Sequence, residues 1–434
     1  LAVGGPGSVA GFFATLKHCR LPMNQLIQPA IDLAEKGFAV TEQEAGLLNA
    51  NKAYFQKHNT SPTAFFKDIP WKAGDILIQK ELAETLKLIL QYGRKGFYEG
   101  KTAGLLVSEM KKGNGIICLE DLRNYKVAER KALEFNYKKH TIVTMPLPSS
   151  GGILLAQMLK MAGYENLEKY RQNSTKAVQV MAEAERRAFA DRAEYMGDPD
   201  FIDDRTSYLI SDDYLKSRWK NFSFSKATPS AEVGKIIKQP KESAETTHIS
   251  VLDKEGNAAA VTTTLNGLYG SKVVVSGAGF FLNNEMDDFS VKPGVPNMFG
   301  AVGGEANSIQ PNKRMLSSMT PTIVLKNGRP FIIVGTPGGT TIPTSVYQSV
   351  VNVIDFKLNA NVAVNAPKFH HQWLPETVVF EKNFPEETIE NLKKLGYPTE
   401  TWNQIGRTEM ILIDDNANTH AVADGRGDDS VAVE

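Results

Sequence analysis

Two cysteines, Cys19 and Cys118, are all that the 434 residues contain. They lie far apart, with no C-x-x-C or comparable metal-ligand spacing, and read as structural thiols rather than a redox or zinc motif. Excess charge of either sign is also missing. Lys plus Arg and Asp plus Glu number 49 each, so no bulk field draws the chain to nucleic acid or an anionic membrane, and small-molecule partners are expected. No apolar run approaches the roughly 20 residues that span a bilayer. Neither a repeat of 20 to 50 residues nor a low-complexity tract is present. Leu1 opens the chain without a charged segment followed by an apolar one, so any secretory signal is expected to have been removed or left out. What remains is an ordinary globular composition, 42% hydrophobic and 23% charged, able to bury a large core.

The first part reads as helical. Gln25 to Lys36 and Leu82 to Tyr92 space apolar residues at i, i+3 and i+4, with Gly37 and Gly93 as stops. A longer helix is predicted from Thr175 to Met196, capped at Ser174 or Thr175, with Val178, Met181, Ala184 and Ala188 on one face and a solvated Glu-Arg-Arg face. Residues 219 to 244 turn rich in Lys, Ser, Pro and Gln and read as an exposed connection. Strands follow. His248 to Asp253, a Lys254-Glu-Gly-Asn turn and the run from Asn257 predict a β-hairpin. Further strands are expected at Lys272–Ser276, Thr322–Lys326, Phe331–Val334, Thr377–Phe380 and Met410–Asp414, with a helix near Ser345–Phe356.

Several short signals have bland readings. Gly5-Pro-Gly-Ser-Val-Ala10 matches a dinucleotide fingerprint by letters but lacks a preceding strand. Arg426-Gly-Asp428 reads as a turn near the C-terminus. Adjacent His370 and His371 point to opposite faces of an extended segment, which suits packing or hydrogen bonding better than chelation. Thr246 is different because of its setting, between a flexible polar stretch and a predicted strand. Cleavage of the bond before it would free an α-amine to serve as general base for its own hydroxyl, and an amine of pKa about 7.7 to 8.0 suits neutral pH. Attack on a carbonyl also needs oxyanion donors, and Gly335-Thr-Pro-Gly-Gly339 offers N–H groups without Cβ obstruction. Asn283-Asn-Glu-Met-Asp-Asp288 supplies anionic acceptors and Leu316-Ser-Ser-Met319 supplies hydroxyls, together the requirements of an amino-acid head group.

Thr246-Thr-His248, Thr262-x-x-x-Asn266, Asn283-Asn-Glu-Met-Asp-Asp-Phe289, Lys313-Arg-x-Leu-Ser-Ser-Met319 and Pro337-Gly-Gly339 stand in the order found in the γ-glutamyltransferase family, and the chain resembles that family throughout. Pro146-Leu-Pro-Ser-Ser-Gly-Gly152, Met181-Ala-Glu-Ala-Glu185, Tyr195-Met-Gly-Asp-Pro-Asp-Phe201 and Phe369-His-His-Gln-Trp-Leu-Pro375 extend the likeness upstream and downstream. The resemblance implies an α+β fold, the αββα four-layer N-terminal-nucleophile sandwich, formed jointly by a large-subunit segment 1–245 and a small-subunit segment 246–434. It implies cleavage between Glu245 and Thr246, with Thr246 as nucleophile, Thr264 supporting it and Gly338 and Gly339 as the oxyanion hole. Asn266, Glu285 and Asp288 would hold the substrate α-amino group, and Ser317 and Ser318 its α-carboxylate. Glutathione or another γ-glutamyl amide would donate, and water, an amino acid or a peptide amine would accept. No metal or organic cofactor is implied. Family habit places such enzymes in the periplasm or outside the cell.

The chain departs from the family's pattern in places. The arginine that the family pairs with the substrate carboxylate belongs upstream of Leu1, which leads to the expectation of an omitted leading segment. Pro293 to Asn307 resembles a lid loop, in which Phe299 stands where a tyrosine is common. Thr263, Met315, Thr336, Thr341 and Lys368 replace a frequent tyrosine, proline, serine, arginine and arginine. Two rival readings stay open: a cephalosporin-acylase-like amidase, and a silent precursor that keeps the fold without exposing the Thr246 amine.

Overall fold

The computed structural model describes residues 2–234, 246–290, 292, 295 and 304–433. Glu245, Phe299 and most of the Pro293–Asn307 lid-like loop (293, 294 and 296–303) fall outside the described residues. The chain divides into two compact units: 1–129 with 265–286, and 130–264 with 287–434. Each unit therefore draws on both sides of position 245.

The larger unit is built on a six-stranded antiparallel sheet. Its order is Thr419–Val422, Glu409–Ile413, Arg329–Gly335, Thr322–Lys326, His140–Thr144, Leu133–Tyr137. Alternation decides its faces. Phe135, Tyr137, Ile142, Val324, Ile332, Val334, Met410 and Leu412 share a core with helices Gly151–Gly163, Thr175–Tyr195 and Thr341–Ile354. Against the other face lies the hairpin Thr247–Leu252/Ala258–Thr263, which packs on the Arg329–Gly335 and Glu409–Ile413 strands. Within this unit the layers run helices, sheet, hairpin, in the order the sandwich requires.

The predicted turn of that hairpin forms through Asp253, whose Oδ1 accepts from Glu255 N–H (2.9 Å) and Asn257 N–H (2.8 Å). This is an Asx-type lock on a tight turn. Register then pairs Thr247 with Thr263 and Ile249 with Val261. The predicted helix near Ser345–Phe356 starts earlier, at Thr341, immediately after the glycine loop.

Two expectations fail in this unit. The Glu-Arg-Arg face of the Thr175–Tyr195 helix is buried, not solvated: Glu185 and Arg186 are each 0% exposed and Arg187 1%. Glu183 pairs with Arg186 (3.3 Å) and Arg187, and also accepts from Tyr397 Oη (2.9 Å) and Thr228 N–H (3.1 Å). Paired and hydrogen-bonded, charges are tolerated in a core that a period-3.6 reading alone reserves for apolar residues. Residues 219–234 of the 219–244 stretch are no simple exposed connection either, and 235–244 fall outside the described residues. Trp219, Thr228, Ser230 and Val233 are buried, and Phe222 and Phe224 pack on the same core.

The smaller unit is helical, with Met23–Lys36 and Lys80–Tyr92 packed together and ended by Gly37 (φ +84°) and Gly93 (φ +61°), as predicted. A capping box joins Thr41 and Glu44 at the start of Glu42–His58. The strand expected at Lys272–Ser276 is absent. Lys272, Gly277 and Gly279 all take positive φ, which bends the chain after a single Val274–Phe281 bridge and prevents a ladder from extending. Cys19 and Cys118 are free and exposed, so neither thiol holds a core together.

Candidate functional site

Thr246 sits one residue ahead of the strand that begins the hairpin, opposite the end of its partner strand. Its Oγ1 donates to Thr264 Oγ1 at 3.2 Å. The next inward-facing residue is His248, 2% exposed, whose ring stands where a Cβ on Gly335 would be, 2.1 Å from that position. A side chain at 335 would push the hairpin off the sheet. The contact fixes the Thr246 end of the hairpin at the C-terminal end of the Arg329–Gly335 strand, from which the glycine loop departs. His248 bonds Thr262 Oγ1 (2.8 Å) and Ser250 Oγ (3.1 Å), and burial lowers its pKa to about 4. At neutral pH it is an uncharged spacer, not a base.

Thr336-Pro-Gly-Gly339 links that strand to the Thr341–Ile354 helix. Gly338 takes φ +141° and Gly339 φ +55°, and a Cβ on Gly338 would lie 2.4 Å from Thr341 Oγ1. The Gly338 carbonyl is occupied by Thr341 N–H (3.0 Å) and Thr341 Oγ1 (2.8 Å), and the Gly339 carbonyl by Ile342 N–H (3.2 Å). Neither glycine's N–H enters a hydrogen bond among the described residues. Two backbone donors at the start of a helix, with their carbonyls tied back, form an arrangement suited to an oxyanion. Behind the loop, Thr340 Oγ1 donates to Gln372 Oε1 (2.6 Å), which His370 Nε2 also reaches (2.9 Å), while His370 Nδ1 meets Thr344 Oγ1 (2.9 Å). Gln372 Oε1 can only accept, so His370 carries its proton on Nε2. Burial lowers its pKa to about 4. The paired histidines thus serve hydrogen bonding and packing, as their spacing suggested.

Ser317 and Ser318 lie on a segment clamped by Pro148–Ser150. Ser317 N–H donates to Pro148 O (2.9 Å), Ser150 N–H to Ser317 O (2.9 Å) and Ser149 Oγ to Met319 O (2.6 Å). The Arg192 guanidinium, on the long helix and 5% exposed, donates from Nε to Ser150 Oγ (3.0 Å) and from Nη2 to Ser318 Oγ (3.3 Å). The same cation acts on Asp288. Burial raises the Asp288 carboxyl to about 7, Arg192 pulling it down and Asp287 pushing it up. Ser317, Ser318, Asp288 and Arg192 therefore form one polar cluster in the larger unit. Nothing in the sequence marked Arg192, which lies in a helix whose charged residues look solvent-facing.

Asn266 and Glu285 belong to the smaller unit. Asn266 takes φ +73° and donates from Nδ2 to Asn284 O (3.1 Å). Gly267 N–H donates to Asn284 Oδ1 (2.8 Å) and Glu285 N–H to Asn283 Oδ1 (3.0 Å). The Asn283-Asn284 pair thus sets the backbone around Asn266 and Glu285. A short 3-10 turn, Glu285–Asp288, follows.

A family model described as gamma-glutamyltranspeptidase matches residues 1–434. The glutathione hydrolase proenzyme of Escherichia coli (strain K12) is 44% identical over 436 residues, covering 99% of this chain and 75% of that protein. Among solved structures, gamma-glutamyltranspeptidase of Helicobacter pylori matches at 40% identity and a TM-score of 0.52, over 54% of this chain and 68% of its own. Cephalosporin acylase from Bacillus halodurans matches with a TM-score of 0.84 over 99% of this chain and 78% of its own, at 24% identity, a likeness of fold. The α+β sandwich expected from the sequence is the fold found.

Proposed function

The chain belongs to the gamma-glutamyltranspeptidase family, and from that premise we propose that it is a self-processing γ-glutamyltransferase and glutathione hydrolase with Thr246 as nucleophile. The observation that carries this reading is the position of Thr246: hydroxyl to hydroxyl with Thr264 at 3.2 Å, on a hairpin held to the foot of the glycine loop by His248 on Gly335.

Processing comes first. Thr246 Oγ attacks the carbonyl carbon of Glu245, the peptide C–N bond breaks and leaves its nitrogen as the free Thr246 α-amine, and water then hydrolyses the resulting ester, releasing the Glu245 carboxylate and restoring the Thr246 hydroxyl. That amine is then the base. It takes the Oγ proton as Oγ attacks the γ-carbonyl of glutathione or a similar amide, and passes the proton to the departing amine nitrogen. The negative oxygen of the tetrahedral intermediate faces the Gly338 and Gly339 N–H groups, where removing one donor costs on the order of a hundredfold in rate. The γ-glutamyl ester on Thr246 is released by water or by an amino-acid or peptide amine. Asn266, Glu285 and Asp288 hold the substrate ammonium, and Ser317 and Ser318 its α-carboxylate. This head-group set separates the reading from an acylase whose acyl chain lacks an amino-acid end. Large- and small-subunit segments 1–245 and 246–434 both contribute, and a periplasmic or secreted location accompanies the reading. Among the described residues no helix is long and apolar enough to cross a membrane.

The test is intact mass beside chromogenic release from a γ-glutamyl anilide, for wild type and Thr246→Ala. Two fragments meeting at 245/246 and turnover abolished by the substitution are expected. Clean cleavage without γ-glutamyl turnover would move the assignment to another acyl substrate.

A further inference from the structure

We propose that Arg192 is a positioning residue for recognition of the free amino-acid head group, directing the Ser318 hydroxyl outward; the inference rests on the γ-glutamyl reading above. A guanidinium only donates. Ser318 Oγ, accepting from Arg192 Nη2 at 3.3 Å, must therefore aim its own proton elsewhere, and it gives that proton to no described group. Ser150 Oγ accepts from Arg192 Nε at 3.0 Å and donates to Ser317 O at 2.8 Å. Ser317 Oγ accepts from Met319 N–H at 3.0 Å, and its proton too is unspent among the described residues. One buried cation thus locks the backbone carrying both serines and leaves two adjacent hydroxyl protons available, the donor pair that a carboxylate needs. A hydroxyl that accepts from a cation also donates more strongly, because chained hydrogen bonds polarise one another.

The charge has a second effect. Arg192 favours the ionised form of Asp288, against burial and the neighbouring Asp287, and an ionised carboxylate is what an ammonium requires. Arg192 is buried and donates to Ser150 and Ser318, so it acts on the head group through these hydroxyls.

The test compares two anilides on processed enzyme: L-γ-glutamyl-p-nitroanilide, and 4-aminobutyryl-p-nitroanilide, which lacks the α-carboxylate. Wild type should prefer the first by about a thousandfold, as sites built to bond a polar group do. Arg192→Gln should lose about thirtyfold of that preference through KM, with kcat and cleavage before Thr246 changed less than about threefold. Arg192→Lys, which keeps the charge but not the two-pronged geometry, should fall between them. Ser318→Ala should give a similar loss, and the double substitution little more than either alone. Equal falls on both substrates, or additive losses in the double variant, would overturn the proposal by reducing Arg192 to a structural cation. Should Arg192→Gln not fold, Arg192→Lys and its combination with Ser318→Ala decide the question in the same way. A cleaved wild type that turns over neither anilide would instead sink the γ-glutamyl reading itself.

Discussion

Gly338 bears the sharpest single-residue constraint at the site. Its φ of +141° is open to glycine, and an added Cβ would meet Thr341 Oγ1 at 2.4 Å. Gly338→Ala should lower kcat about a hundredfold with KM nearly unchanged, measured on the γ-glutamyl anilide, because the displaced donor acts on the transition state. Asp288 makes a prediction about pH. With its carboxyl raised to about 7 by burial, the charged form that binds ammonium grows as pH rises, so kcat/KM should climb from about pH 6 to 8. The Thr246 amine titrates in the same direction slightly higher, near 7.7 to 8.0. Asp288→Asn should therefore remove the lower limb and keep the upper. An unchanged profile in that variant would dismiss Asp288 from the site. At this scale the sequence was informative where chemistry depends on residue type in a marked place: a threonine opening a strand, a Gly-Gly pair closing one, a serine pair amid apolar residues. Arg192 was invisible because its part depends on which way a helix faces, and two arginines earlier in the same helix look just as solvent-bound.

Among the elements, the Thr175–Tyr195 helix was the clearest to read and the most misjudged. Its length follows from periodicity, and Ser174 stands at its N-cap position without a capping side-chain hydrogen bond, but burial on all sides follows only from the elements that pack around it. Glu183 balances Arg186 and Arg187 and ties the helix to Thr228 and Tyr397. Glu183→Ala should thus destabilise the protein by about 3–5 kcal/mol, since it takes the carboxylate from buried Arg187, while Arg186 keeps Glu376 at 3.2 Å; a shift of the urea midpoint checks this. The hairpin was legible because alternation, the Lys254-Glu-Gly-Asn turn and strand chemistry agree. Residues 272–276 misled because β-branched residues promise a strand whatever the backbone around them does, and positive φ at Lys272, Gly277 and Gly279 decides otherwise. The glycine loop takes its support from the next layer down. Thr340→Val, cutting the bond to Gln372 Oε1, should reduce kcat by about tenfold while leaving KM within twofold, if that bond holds the loop in register for the oxyanion.

For the molecule as a whole, balanced charge and ordinary composition excluded much and identified nothing. Ordered motifs along the full chain did the identifying, and the match over residues 1–434 agrees with them. The division into two compact units was not legible, because residues 265–286 leave the hairpin to pack with the N-terminal helices, a long-range choice with no local signature. Both units draw on residues from before and after position 245. Cutting there should therefore leave the two fragments associated, which co-elution on size exclusion at neutral pH would show and separation without denaturant would refute. The central claim is that Thr246 carries the acyl group, and the most direct test is to trap it. Brief mixing with a γ-glutamyl anilide, acid quench and mass analysis should find one γ-glutamyl group added to the fragment that begins at Thr246, and none in Thr246→Ala. A modified large fragment, or rapid turnover with no adduct on the Thr246 fragment, would contradict the account.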